Sequence, residues 1–440
     1  MTTNFKHLDE ARHSAVMLLI TALRNAPPDC KMVLIEDLYG KLRLVVWPGG
    51  AHQDLIDDIR KQLGEEAKGI WTDDIWTVSK EVSDTDKFVY DNTWKESKPH
   101  PDESRLRILD RYRSRGAWFS PTDQPPWEKP VRPSTKQPPI VVFYSFKGGV
   151  GRSTALAAFA IHRARKGERV AVIDSDLDAP GIGTLLAADE EGTTARWGVA
   201  DYLLEQPIGP VDFRDYYHAC RREKVTGKGE ILVIPSGLVD SEYLGKLARL
   251  DFEPPRPEDK QKHPFFMLLQ DVRTQLRPHW LLVDLRAGLA ETAGMVLGGF
   301  AHLHVLFGTS SEQSWRGLRL IIERLGAHRV RADKQQGDCI MVQAMVPRAP
   351  ELNKQATQRF ADRARDEFTE LYYAESGQDN FWSIEDIESS DAPHVPVPIR
   401  YDEVLSDFRN IDEVAGTIVE SPDFQSLANR ILNRFRGDKQ

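Results

Sequence analysis

The stretch that decides the fold is VVFYSFKGGVGRSTALAAFA, Val141 to Ala160. PIVVFYS is a nearly continuous apolar run, as expected of a parallel strand buried on both faces. RSTALAAFAIHRARKG reads as a helix, with Gly167 as its terminator. Between them lies Lys147-Gly148-Gly149-Val150-Gly151-Arg152-Ser153-Thr154. Its three glycines let the backbone bend so that consecutive N–H groups face one anion at a helix N-terminus. Strand, glycine turn and helix together make a phosphate cradle. Ser153 stands where a hydroxyl reaches Mg²⁺ in such a loop. The position that ordinarily carries lysine holds Arg152, and a lysine, Lys147, sits at the loop entrance instead.

Downstream, AVIDSDLDAPG places Asp174 and Asp176 at the end of the next apolar run, one helix and one strand after the loop. That interval is the compass of a single βαβ unit. One carboxylate suits the water shell of a metal, the other the γ-phosphate. HWLLVDLRAGLAE then places Asp284 at the edge of a third apolar run, followed by Gly288, which is the Walker B arrangement. All three motifs fall at the carboxyl ends of strands, where open α/β sheets bind their ligands.

Further strand candidates are GEILVIPSG, HLHVLFGTS and DCIMVQAMVP, with helical stretches among them. The pattern is α/β, a doubly wound and mostly parallel sheet. A proline-rich stretch, SPTDQPPWEKPVRPSTKQPP, precedes it and reads as a linker. The expected division is an α+β module over 1–119, a linker over 120–138 and the main domain over 139–440. Within the module, Ala15–Leu23 belongs to a buried helix, being too short to cross a bilayer. KMVLIEDLYGKLRLVVWP suggests a hairpin around Tyr39-Gly40, and HQDLIDDIRKQLG a helix closed by Gly64. IWTVS reads as a strand and DESRLRILDRYRS as a charged helix.

With 440 residues, 28% charged, 40% hydrophobic and a net charge of -9, the chain has the composition of a soluble globular protein. That charge argues against whole-protein attraction to nucleic acid or anionic membrane. Cys30, Cys220 and Cys339 lie far apart with no CxxC spacing, which suggests free thiols in a reducing, cytoplasmic compartment.

KGGVGRST resembles the deviant Walker A loop of the ParA/MinD group of ATPases, whose signature lysine Lys147 matches. VIDSDLDAPG resembles the group's switch I, VDLRAGLAE its switch II, and ILVIPSG the strand and proline before the second switch. Arg152 followed by DLDAPG is similar to a bacterial subset, the KGGVGR-motif variants, often joined to defence and signalling modules. The resemblance implies that ATP and Mg²⁺ bind between two protomers, with Lys147 reaching the partner's phosphates and Asp176 positioning the attacking water. Ser153, Asp174 and Asp284 would organise the metal. Adenine would lie near MVPRAP and PVPIRYDE, at Pro347 and Pro398. The function implied is a slow, dimeric ATPase switch acting on an effector encoded nearby, in a setting such as antiphage defence.

Two other readings stay open: a scaffold that binds ATP without hydrolysing it, and positioning on DNA or membrane. The segment RGLRLIIERLGAHRVRADK offers arginines for DNA, and SPDFQSLANRILNRFRG an amphipathic helix for a membrane. A solvated helix face and packing against the sheet are the readings preferred for the two.

Overall fold

The structure, a computed structural model, describes residues 7–51, 53–78, 83–112, 114–120, 124–252, 257–326, 336–375 and 382–436. It separates into two compact units after Ser114.

The first unit holds a five-stranded sheet in the order β3-β2-β1-β5-β4. Strands β1 (Lys31–Glu36) and β2 (Leu42–Trp47) form the expected hairpin, with Lys31 opposite Trp47 and Gly40 at φ 74° in the turn. Helices α1 (Leu8–Asn25) and α2 (Gln53–Glu66) cover one face of the sheet through Leu19, Leu23, Ile59 and Leu63. Helix α2 runs two residues beyond Gly64, where the sequence placed its end. Strand β3 (Trp71–Thr77) matches the predicted one as far as Thr77.

DESRLRILDRYRS is not a helix. Its residues Glu103–Asp110 form β5, parallel to β1 with Leu106 opposite Met32, beside the short β4 (Lys98–His100). The reason is a period of 2 within a charged segment: Leu106 and Ile108 join the helix-covered core, while Leu109 joins a smaller core on the other face. Helix α3 (Asp84–Glu96), capped by Ser83, meets that second face with Tyr90 and Trp94.

The second unit is built on an eight-stranded sheet in the order β13-β12-β11-β6-β10-β7-β9-β8. Its strands are β6 (Ile140–Ser145), β7 (Arg169–Ser175), β8 (His218–Cys220), β9 (Glu230–Ile234), β10 (Trp280–Leu285), β11 (Leu303–Gly308), β12 (Cys339–Val346) and β13 (Val397–Arg400). All neighbouring pairs are parallel except β8 with β9. Alternate residues of β6 enter opposite cores: Val141 and Phe143 one, Val142 and Tyr144 the other. Helices α4 (Arg152–Ala164), α10 (Ile411–Glu420) and α11 (Pro422–Asn433) pack in the first of these cores. The second core receives α5 (Val199–Glu205), α6 (Pro264–Asp271), α7 (Glu291–Leu297), α8 (Glu312–Leu325) and α9 (Pro350–Leu371). The sheet is therefore wound on both faces, as its buried apolar strands require.

The proline-rich segment lies along this unit. Within it Trp127 packs against His302, and just before it Trp118 donates from Nε1 to the Ala290 carbonyl at 2.9 Å. Near the same segment, whose Lys129 lies over the Phe435 ring, α11 buries Leu427 and Ile431, and Phe435 meets the Trp280 ring edge-on with centroids 5.6 Å apart. Its apolar face is thus covered by the sheet. Among the described residues no helix is long and apolar enough to cross a membrane.

Candidate functional site

Strand β6 sits between β10 and β11, and β7 lies on the far side of β10. The carboxyl ends of β6, β10 and β7 therefore stand side by side, carrying the glycine loop, Asp284 and Asp174. Register sets Asp284 opposite Asp174 on one neighbour and Phe143 on the other.

Gly149 and Gly151 adopt φ of 69° and 79°, which a side chain would strain. A Cβ added at Gly148, Gly149 or Gly151 would meet no atom within 4 Å, so the loop borders open space. Helix α4 begins at this loop with neither a side-chain cap nor an acidic residue in its first turn. Among the described residues, no backbone N–H from Lys147 through Thr154 donates to a protein acceptor. An uncapped helix start carrying partial positive charge results. Beneath it, Ser145 Oγ is buried without a hydrogen-bond partner. Lys147 is exposed at the loop entrance, whereas the Phe146 ring occupies the place of a side chain at Gly317 on α8, its Cγ 1.9 Å from where a Cβ would stand. Gly288, at φ 77°, donates to the Ser145 carbonyl at 3.2 Å and accepts from the Tyr144 hydroxyl at 2.9 Å. The segment after β10 is thereby tied to the foot of the loop.

The acids at the site are buried. Asp174 accepts from the N–H groups of Asp176, Gly181 and Gly183 at 3.2, 3.2 and 3.4 Å. Burial, reinforced by the charge of Asp284, lifts its carboxyl to about 7 against those hydrogen bonds. Burial also raises Asp284, with Arg152 and Ser153 opposing the change. The Ser153 hydroxyl donates to Asp284 Oδ2 at 2.5 Å, so the two residues expected at the metal are in contact.

Arg152 departs from the expected geometry. Its side chain turns inward from the loop: Nε donates to Asp284 Oδ1 at 2.7 Å and Nη2 to Asp176 Oδ2 at 3.0 Å. The group is 8% exposed. Burial works against its charge, but the two carboxylates outweigh that and raise its pKa. Asp176, expected to hold water, is held by Arg152 and by the Ala179 N–H at 3.2 Å.

Sequence reasoning passed over one pair. Arg286, two residues after Asp284, meets Asp178 at 2.7 Å and joins the segments that follow β10 and β7. A basic residue in one motif and a spare acid in the other were the available signal. Pro398 falls within strand β13 rather than in a loop, opposite Gln343 of β12, which in turn faces Gly308 of β11. That puts it level with the glycine loop but three strands from β6, about 14 Å at ordinary strand spacing. Pro347 follows β12, one strand nearer. Met345, just before it, is half exposed with φ 59°.

Of the six basic residues considered for DNA, three are described, and each of these has a protein partner, Arg316 while remaining largely exposed. Arg319 pairs with Glu367 and Glu370, Arg316 with Glu312 at 3.7 Å, and Arg324 is buried against the carbonyls of Ala117 and Trp118. Arg329, Arg331 and Lys334 lie outside the described residues.

Residues 137–207 match the family model described as ParA: NUBPL iron-transfer P-loop NTPase. The match runs from the foot of β6 through the loop, Asp174 and Asp176 to the end of α5. Over this segment the chain is similar to ParA-type P-loop NTPases, in agreement with the motifs. The chain is also similar to pNOB8 ParA bound to nonspecific DNA, at 16% identity over 68% of this chain and 99% of that one, with a TM-score of 0.45. A plasmid partition protein from Borrelia burgdorferi B31 bound to AMPPNP is 17% identical over 68% and 98%, with a TM-score of 0.42. The MinD cell division protein of Aquifex aeolicus is 18% identical over 69% and 98%, also with a TM-score of 0.42. No curated protein matches the chain.

Proposed function

We propose that the second unit binds ATP with Mg²⁺ and acts as a slow, dimeric ATPase switch that regulates or assembles a partner effector. The observation that carries this reading is the arc of unpartnered N–H groups at the start of α4, beside three buried carboxylates on adjoining strand ends. A polyphosphate satisfies those donors and the helix terminus together. Ser153, Asp284 and Asp174 fit a P-loop metal, which takes its remaining ligands from phosphate and water. Bound there, Mg²⁺ would neutralise charge between the β- and γ-phosphates. Asp176 orients water once Arg152 releases it, and Lys147, exposed at the loop entrance, reaches toward a second protomer. Pro347 and Pro398 flank the base. The first unit is a separate module through which the effector or its signal acts.

The hold of Arg152 on Asp176 favours a second reading, the scaffold that keeps ATP intact. Iron transfer is not adopted: Cys220 and Cys339 lie on β8 and β12 near opposite edges of the sheet, and Cys30 belongs to the first unit. The paired arginines of α8 weigh against DNA, and the covered face of α11 against a membrane surface.

Calorimetry with ATP and Mg²⁺ tests the site. The chain is expected to bind ATP in preference to CTP and to turn it over slowly, with Asp176→Ala binding but not hydrolysing. Equal affinity for both nucleotides, or none for ATP, would sink the assignment. Complete absence of turnover with the effector present selects the scaffold.

A further inference from the structure

The geometry points to a second use of Arg152: in the nucleotide-free chain its guanidinium is the resident cation of the metal position. This rests on the nucleotide reading for the identity of that position, and on the arrangement of side chains for everything else. The loop leaves open space on its outer side, yet Arg152 does not extend into it. It reaches inward and joins carboxylates from two different strand ends, with Nε on Asp284 and Nη2 on Asp176.

Both oxygens of Asp284 are engaged, Oδ1 by Arg152 and Oδ2 by Ser153. Asp284 and Ser153, two of the three groups expected to receive a metal, are thus already engaged, while Asp174 is held by backbone N–H groups. A divalent ion entering beside the guanidinium would meet a like charge at short range in a poorly screened interior. The metal therefore enters only as Arg152 leaves.

A triphosphate can draw the guanidinium away, because a planar fork of donors pairs with phosphate as well as with carboxylate. One cation is exchanged for another, and Asp176 is released in the same movement. Lysine at this position, a single compact ammonium, lacks the second arm that links the two acids.

The test uses Mn²⁺ as the probe, followed by electron paramagnetic resonance on the full chain without nucleotide. The parent should leave Mn²⁺ free, whereas Arg152→Gln should bind it at a concentration about tenfold lower or more. Arg152→Lys should fall between them. Mn²⁺ should also raise the melting temperature of Arg152→Gln and leave that of the parent unchanged. If Arg152→Gln does not fold, the comparison of Arg152→Lys with the parent decides. Equal Mn²⁺ affinity in the parent and a folded variant overturns the inference, as does a folded variant that binds none. ATP calorimetry on the parent separates the two readings: failure to bind ATP removes the nucleotide assignment, while the Mn²⁺ comparison still reports on the resident cation.

Discussion

At the carboxyl end of the large sheet, Arg152 is shared between Asp176 and Asp284; at the amino end, Arg434 is shared between Asp391 at 3.3 Å and Asp338 at 3.7 Å. Both arginines are buried between two acids. Around Arg434 the guanidinium's outer nitrogens and both acids are engaged by protein groups, its Nε alone being left without a hydrogen-bond partner. Its Nη2 donates to the carbonyls of Asp391 at 2.7 Å and Cys339 at 3.3 Å, while Lys129 and the Trp382 indole hold Asp338 at 2.6 and 3.2 Å. With burial opposing them, Lys129 and Arg434 hold Asp338 down to about 2. Around Arg152 the bonding stops at an edge, where a row of backbone donors faces open space. A buried ion pair is common to structure and function; a run of free backbone donors bordering open space beside it marks the functional end.

The comparison can be broken most directly at the closed end. Arg434→Ala leaves Asp338 to Lys129 and Asp391 to Arg430 but removes a buried charge and its carbonyl hydrogen bonds, and should lower stability by about 3 kcal/mol. Urea unfolding should show that loss to be unaffected by ATP or divalent metal. Rescue by either would mean that the two clusters are not different in kind.

At the open end, Gly151→Val places a branched side chain at φ 79° and fills the cradle. ATP affinity should fall at least about a hundredfold, roughly 2.7 kcal/mol, by calorimetry. Unchanged affinity would move the nucleotide elsewhere.

At the amino end, acid should act against the fold. His302 accepts the Ile140 N–H at Nδ1 and contacts the Trp127 carbonyl from Nε2, and burial holds its pKa down to about 4. His304 beside it is held down to about 4 for the same reason. Each folded pKa lies below the unfolded one. Their stabilisation is therefore complete above about pH 6.5 and is lost as pH falls toward 4. At pH 5 the loss should be about 2 kcal/mol per histidine, and His302→Gln should remove its share of the slope in melts between pH 5 and 7.5.

The smallest effect is expected from Arg152→Lys, which keeps a positive charge. ATP affinity should stay within about tenfold, roughly 1.4 kcal/mol, of the parent. A larger loss in equilibrium binding would mean that the two-armed fork is needed on the nucleotide as well as on the acids.

The central strands could be read from the sequence because burial on both faces makes them uninterrupted apolar runs. At the sheet edges that signal fades. Strand β8 has three residues, and β13 contains Pro398, which reads as a loop residue until an edge position accommodates it. In the first unit, α3 fully buries only Thr93, so it has no apolar stripe to announce it. β5 carries its alternation among arginines and aspartates that suggest a helix surface. The loop and its acids were legible as spacings. The direction of Arg152 was not, because it is set by partners 24 and 132 residues away. The Arg286–Asp178 pair was hidden for the same reason, each half being visible only as an ordinary surface charge.

Phe146 connects the loop to the outside of the protein. Its ring fills the space that a side chain at Gly317 would take, so the loop entrance and α8 fit together like a key in its wards. Arg319 then fastens α8 to Glu367 and Glu370 of α9. The ring of Phe146 thus cannot advance toward α8 unless that helix, braced on α9 by Arg319, gives way.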